Sequence, residues 1–269
     1  MYLSYWGLTM PPFENVADLR FFYESASHSE ALLRLTYTVS AHKGAAAMMG
    51  DIGCGKTLIC KAYVDRIPRD KYEVRFMPQL PSSSEDETLR EMLVAFGESA
   101  PAGSSKSEMM RMLNEKLINI SKNDKHAIIV IDEAQLLSPA SLEMVRLLLN
   151  YQYNNGFLCT IILVGQLELK DNIRKMPQLD QRIAINYHLK PLDAAGVEAY
   201  IKHRMTRSGC QRQVFKDDVY GKILQLTSGV PRKINNICDM SLLLGYSAKK
   251  DIIEGDMIDK VAGELVSRP

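Results

Sequence analysis

Long hydrophobic runs are missing from this 269-residue chain. Its most apolar stretches, 127–131 and 161–164, fall far short of the ~18 residues a membrane-spanning helix needs. The first twenty residues lack the basic start and apolar stretch of a signal peptide, so the expected location is cytoplasmic. Cysteine is sparse and scattered. Cys54, Cys60, Cys159, Cys210 and Cys238 make no CxxC pair and no zinc-type cluster. An odd set of this kind suits a reducing compartment better than a disulfide framework. Excess charge is absent too: 33 Lys and Arg against 32 Asp and Glu leave a net of +1. That excludes a generic polycation, and any affinity for nucleic acid would need a local patch. What is abundant is apolar material. With 46% hydrophobic residues, the chain can build a sizeable core and is not disordered as a whole.

Periodicity orders that material. Ala31, Leu32, Leu35 and Val39 recur at helical spacing over 28–41. The run 45–49 is strand-like and stops at Gly50, and a glycine-rich turn then leads into a helical stretch over 56–66. Residues 72–77 read as a second strand, closed by Pro78 and Pro81. Ser82, Ser83 and Ser84 before Glu85, Asp86 and Glu87 read as a helix start. Pro101 and Gly103 mark a loop over 99–105, and Met109, Met112, Leu113, Leu117 and Ile120 trace an amphipathic helix after it. The unbroken apolar run 127–131 has the character of a strand covered on both faces. A helix over 140–151 and strands over 159–164 and 183–188 complete the alternation. Five strand-like runs interleaved with helices predict an α/β fold, a parallel sheet flanked by helices. After Pro191 the strand signal ends, and helical patterns over 194–208, 217–227, 232–246 and 255–265 predict a small all-α second domain. The expected division is 1–190 and 191–269.

The chemistry concentrates at strand ends. Gly50, Asp51, Ile52, Gly53, Cys54, Gly55, Lys56 and Thr57, followed by Leu58, match the phosphate-loop pattern GxxxxGK[ST] in full. The glycines let successive N–H groups converge on phosphates, and the following helix adds its positive end. Lys56 would reach the β- and γ-phosphates, and the Thr57 hydroxyl would ligate Mg²⁺. Asp132, after the apolar run, is placed to hold that ion, with Glu133 as the base that polarises an attacking water. A strand end and helix cap is the plain alternative for this acidic pair. Gln166, after the run 161–165, could orient water or touch the γ-phosphate, or merely cap a helix. Arg182, before the last strand, could project into a neighbouring subunit's phosphate site or pair with Asp180 at the surface. Cys54, inside the loop at a helix N-terminus, is expected to be acidified and readily alkylated unless nucleotide shields it. A small residue fitted to the loop is the alternative.

The phosphate loop, Asp132, Glu133, Gln166, Arg182 and the run Gly229, Val230, Pro231, Arg232 together resemble the AAA+ ATPases. The resemblance implies a P-loop core with a helical lid, sensor 1 at Gln166, an arginine finger at Arg182 and sensor 2 at Arg232. It also places Pro231 in the nucleotide set, with ATP and Mg²⁺ as cofactors. Trp6, Gly7, Leu8, Pro12, Phe13, Asp18, Tyr23, Ser25 and the run His28 to Leu32 look like the N-terminal segment of ExeA-type ATPases of the general secretion pathway. That group is related to pilus-biogenesis and transposition-associated ATPases. Pro12 and Phe13 would then lie near the adenine, with hydrophobic packing as the open alternative. The resemblance further implies a ring or helical homo-oligomer with Arg182 acting in trans. Its expected work is assembly or remodelling of a secretion- or pilus-type machine, with a protein partner at the inner membrane, to which the chain would be peripheral. ExeA-type proteins continue into a membrane span and a peptidoglycan-binding region that these residues do not contain. The alternative is a transposition regulator forming rings or filaments on duplex DNA. Residues 199–238 motivate it, with Lys202, Arg204, Arg207, Arg212, Lys216, Lys222, Arg232 and Lys233 against Asp217 and Asp218, although a solvated helical face is the commoner meaning of such a run. A nucleotide switch that barely hydrolyses is a third reading, against which Glu133 argues.

Overall fold

A computed structural model describes residues 2–80, 84–153 and 156–266. In chain order the elements are α1 (Tyr2–Trp6), α2 (Ala26–Ser40), β1 (Ala45–Gly50), α3 (Lys56–Arg66), β2 (Tyr72–Met77), α4 (Glu85–Ala95), α5 (Lys106–Lys122) and β3 (His126–Ile131). Then follow α6 (Pro139–Leu148), β4 (Gln152–Tyr153), β5 (Gly156–Phe157), β6 (Cys159–Gly165), α7 (Glu168–Arg174), α8 (Pro177–Asp180) and β7 (Ile183–Leu189). The rest is helical: α9 (Ala194–Arg207), α10 (Val219–Thr227), α11 (Pro231–Ser247) and α12 (Gly255–Val266). The chain divides into two compact units, one of Glu30–Gly50 and Ile59–Leu189, the other of the residues up to Ser29, Asp51–Leu58 and those from Lys190 onward.

The first unit holds a five-stranded sheet in the order β2-β3-β6-β1-β7, and all of its pairings are parallel. Strands β1, β3 and β6 are buried along their whole length, which is why their sequences are nearly all apolar, the polar His126 and Thr160 lying 2.9 Å apart and hydrogen-bonded to each other. The edge strand β7 alternates buried and exposed positions instead. Met92, Leu93, Leu113, Leu117, Val145 and Leu148 of the crossover helices pack in the core built on these strands. The helices start where side-chain oxygens meet their free N–H groups. Ser84 accepts from the Glu87 N–H, and Ser105 forms a reciprocal capping box with Glu108. Pro81, Ser82 and Ser83 lie outside the described residues. The short antiparallel pair of β4 and β5, and helices α1, α7 and α8, are too brief for periodicity to reveal.

The second unit is helical around its own core. Trp6, fully buried, donates its indole N–H to the Leu242 carbonyl at 2.9 Å. Phe13 packs edge-on against Phe215, with 6.1 Å between ring centroids. Room for Trp6 comes from α11, where a Cβ at Gly245 would stand 2.6 Å from Ile253 Cδ1 and 2.8 Å from Trp6 Cζ2. Gly245→Ala sets two effects against each other. Helix propensity favours alanine by about 1 kcal/mol, whereas overpacking costs roughly 1–3 kcal/mol. Two side chains are met at once, so the clash should win: the variant is expected to melt several degrees lower in a thermal scan.

Candidate functional site

The phosphate loop from Asp51 to Leu58 lies within the helical unit. Gly53 and Gly55 have φ of +83° and +92°, conformations that side chains resist, and between them the backbone reverses into α3. The Cys54 N–H donates to the Asp51 carbonyl at 3.3 Å. Buried Lys56 curls back so that Nζ donates to that same carbonyl at 3.0 Å. Thr57 and Leu58 are half-buried in the first turn of α3, which contains no acidic residue to offset its positive end. Ile52 and Asp51 are exposed.

Two other segments of the same unit meet this loop. The Arg232 N–H, in the first turn of α11, donates to the Gly53 carbonyl at 3.2 Å. A Cβ at Gly53 would come within 2.6 Å of the Arg232 Cβ. Pro231 opens α11 with φ already fixed, and Gly229 precedes it at φ +72°, where any side chain would run into the Leu192 carbonyl. The second segment brings His28. Its Nδ1 accepts from the Ser25 backbone N–H at 3.2 Å and lies 2.7 Å from Ser25 Oγ. A backbone N–H can only donate, so the neutral ring carries its proton on Nε2. That nitrogen stands 3.4 Å from where a Gly55 Cβ would be, and the ring hydrogen-bonds to the Cys54 backbone. Sequence reading placed His28 in a family segment without giving it a site. Its signal, a histidine three residues after a serine, is too common to single out.

Cys54 corrects an expectation. It is buried, and burial followed by the nearby Asp51 carboxylate pushes its thiol above the usual range, although Lys56 pulls the other way. Desolvation outweighs the helix end here. Pro12 and Phe13 are likewise buried, Phe13 within the helical core.

The acidic residues belong to the sheet unit. Because its strands are parallel, Gly50, Ile131 and Gly165 all end at one edge. Asp132 continues β3 there, buried, with its N–H on the Met77 carbonyl at 2.9 Å. Glu133 follows in the left-handed region at φ +51°, and its N–H donates to Asp132 Oδ1 at 3.0 Å. Gln135, in the 3-10 turn of Ala134–Leu136, donates through Nε2 to Glu133 Oε2 at 2.6 Å and accepts the Gln166 N–H on Oε1 at 3.0 Å. The Glu133 carboxylate and the Gln166 backbone are therefore linked, through a residue that the motifs do not include.

Arg182 lies elsewhere. It precedes β7 at Ile183, which is level with Ala45, Ile161 and Ile129, whereas Asp132 lies three residues beyond Ile129 on a strand three places away. Four residues along the strands (~13 Å) and three strand spacings across (~14 Å) separate the two positions by roughly 19 Å, beyond the reach of an arginine side chain. Its Nη1 donates to the Leu149 carbonyl at 2.8 Å, not to Asp180. The surrounding cavity, of about 530 Å³, is lined by Lys43, Arg146, Phe157, Gln178, Gln181, Arg182 and Ala184, with no carboxylate among them. Arg146 is held there by Glu143.

Comparison with known proteins decides the family. The family described as AAA domain matches residues 39–173, half of the chain. The chain belongs to the AAA domain family. The matched stretch contains the phosphate loop, Asp132, Glu133 and Gln166. Among curated proteins, this AAA chain is 30% identical over 260 residues to general secretion pathway protein A of Aeromonas hydrophila, which covers 96% of the chain and 47% of that protein. It thus spans about half the length of that relative. Among solved structures it resembles Cdc6p from Pyrobaculum aerophilum (TM-score 0.69, 16% identity, covering 94% of this chain and 75% of that one). It also resembles the Aeropyrum pernix ORC2 protein in its ADPNP–ADP complexes (TM-score 0.66, 15% identity, covering 91% and 68%). At such identities these two likenesses establish the AAA+ P-loop fold, a parallel sheet flanked by helices with a helical C-terminal region.

Two outcomes follow for the loop. Burial holds His28 down at about 4 against an ordinary 6.5. The unfolded chain therefore takes up this proton first, and the ring's contribution to stability, full above pH 6.5, is lost as pH falls toward 4. His126, which burial holds at about 3, adds to the same slope. Melting temperatures between pH 7 and 4.5 should fall, and His28→Gln should flatten that dependence. Cys54 should react with a small alkylating reagent more slowly than a free thiol at pH 7.5, as mass spectrometry of labelled peptides would record; reaction at the rate of a free thiol would refute the burial argument.

Proposed function

We propose that the chain binds ATP with Mg²⁺ and hydrolyses it as a homo-oligomer in which Arg182 of one copy serves the phosphate site of the next. The observation that carries the trans assignment is the separation of Arg182 from Asp132 and Glu133 across the sheet, together with the cationic lining of its cavity. In this reading, backbone N–H groups of residues 50–58 and the Lys56 ammonium hold the phosphates. Arg232 brings the helical unit's charge to the loop, consistent with its bond to Gly53. The Thr57 hydroxyl and the Asp132 carboxylate offer the hard oxygen donors that Mg²⁺ prefers. The ion, when bound, neutralises charge on the phosphates. Glu133 accepts the proton of the attacking water as its oxygen bonds to the γ-phosphorus and the bond to the ADP oxygen breaks, and Gln166 orients that water. The burial of Phe13 against Phe215 supports the packing role over contact with adenine. We take 1–190 as the catalytic portion and 191–269 as the lid.

The machine driven is, in our reading, a secretion- or pilus-type apparatus, with a protein partner at the inner membrane and the chain peripheral to it. Identity of 30% over nearly the whole chain to general secretion pathway protein A supports this. Among the described residues no helix is long and apolar enough to cross a membrane. The rival reading, duplex DNA, loses much of its charge motif: Lys202, Lys216 and Lys222 pair with Glu198, Glu254 and Asp259, and Arg204 is buried between Phe21 and Tyr200.

Steady-state hydrolysis tests the proposal. Glu133→Gln should bind ATP within a few-fold of the parent yet hydrolyse it at least ~100-fold more slowly, and Arg182→Ala should lose about 10³-fold. Mixing the two inactive variants should restore part of the activity, because Glu133→Gln still supplies its arginine to the intact base of its neighbour. No restoration in oligomers shown to exchange subunits would sink the trans assignment. Binding of duplex DNA that weakens steeply with salt would instead favour the rival.

A further inference from the structure

Gln135 is the point where the candidate base and the strand-end amide of Gln166 are joined. Its side-chain amide has only one satisfactory orientation. A backbone N–H must meet Oε1 and a carboxylate must meet Nε2, so flipping the group would set donor against donor and acceptor against acceptor. The two bonds, 2.6 Å to Glu133 Oε2 and 3.0 Å from the Gln166 N–H, span the gap between the turn after β3 and the end of β6. The turn itself is pinned on both sides: the Gln135 carbonyl accepts from Asn172 Nδ2 at 3.3 Å, and the Leu136 N–H donates to the Glu133 carbonyl at 2.9 Å. Gly165 leaves room for the amide oxygen, since a Cβ there would lie 2.7 Å from Gln135 Oε1 and 3.2 Å from the Gln135 backbone nitrogen.

We propose that Gln135 is a positioning residue for hydrolysis, holding the Glu133 carboxylate in register with the Gln166 end of β6. This rests on Glu133 being the base. Gln135 touches neither substrate nor the reacting atoms; it fixes one carboxylate oxygen and leaves Oε1 of Glu133 for the water. Without it, Glu133 keeps its backbone position but its side chain is free to swing. The rate of the chemical step should then fall while nucleotide affinity holds, because the phosphate loop makes no use of this bond.

Three variants and a rate-independent readout test this. Gln135→Met keeps the volume and removes both bonds; kcat should fall 10- to 100-fold while the Kd for ATP stays within twofold. Gln135→Glu can still accept from Gln166 but repels Glu133, and its kcat should fall further than that of Gln135→Met. Gly165→Ala, which crowds the amide out from the other side, should reproduce the kcat loss with Kd again unchanged. Hydrogen exchange at the Gln166 amide should accelerate in Gln135→Met and Gly165→Ala. Unchanged kcat in Gln135→Met, with Glu133→Gln inactive, would overturn the positioning role and leave the base intact. Activity retained in Glu133→Gln would instead remove the base assignment, and this proposal with it. Parallel losses of kcat and ATP affinity in both Gln135→Met and Gly165→Ala would mark Gln135 as structural only.

Discussion

The candidate chemistry of this chain depends on one constraint: five strands that all run in the same direction. A residue that follows its strand then falls at one edge of the sheet, and a residue that precedes its strand falls at the other. Gly50 ends β1, and Asp132 and Gln166 follow β3 and β6, so the sheet gathers them without any side chain selecting a partner. Arg182 precedes β7 and is sent to the opposite edge by the same rule. Parallel strands also need long crossovers, and the helices that supply them cover both faces. This is why β1, β3 and β6 show no polar alternation: the two polar side chains within them, His126 and Thr160, are bonded to each other.

That constraint also explains how much of the fold could be read in advance. The predicted strands agree with the observed ones to within a residue at each end, because doubly covered strands are short unbroken apolar runs bounded by glycine, proline or charge. Amphipathic helices such as α2, α5 and α11 were visible from their apolar stripes, and α4 from the serine and acidic residues at its start. What escaped is short. Helices α7 and α8 and the pair β4 and β5 each span fewer residues than two turns of periodicity require. The docking of the N-terminal segment escaped for another reason. Trp6 and Phe13 bury themselves against residues more than two hundred positions away, and no local pattern encodes such a distance.

The site was legible as a set of residues and much less so as an environment. A thiol beside a helix N-terminus suggested a reactive Cys54, but that inference counted the dipole and not the solvent. With the side chain buried, the penalty on the thiolate dominates. The basic stretch 199–238 also looks different in space. The carboxylates that answer Lys202, Lys216 and Lys222 are Glu198, Glu254 and Asp259, and every one lies outside that window. One partner is a helical turn upstream and the others come from the chain some 37 positions later. Counting charges over a segment measures sequence neighbourhood, whereas electrostatics follows distance in space.

The turn after β3 shows how a residue can go unnoticed inside a motif. Asp132 and Glu133 were assigned from the motif alone, yet a motif says nothing of how a flexible glutamate is held. Glu133 occupies the left-handed region, where a side chain with a Cβ is disfavoured by roughly 1–2 kcal/mol. The local bonds that offset this are its own N–H to Asp132 Oδ1 and its carbonyl to the Leu136 N–H. Both act on the backbone, and neither restrains the carboxylate. Gln135, two residues on, supplies the missing restraint through its Nε2, 2.6 Å from Glu133 Oε2. Backbone strain, a glycine at the end of β6 and an uncharged amide thus serve one end: a fixed position for a carboxylate that the sequence could name but not place.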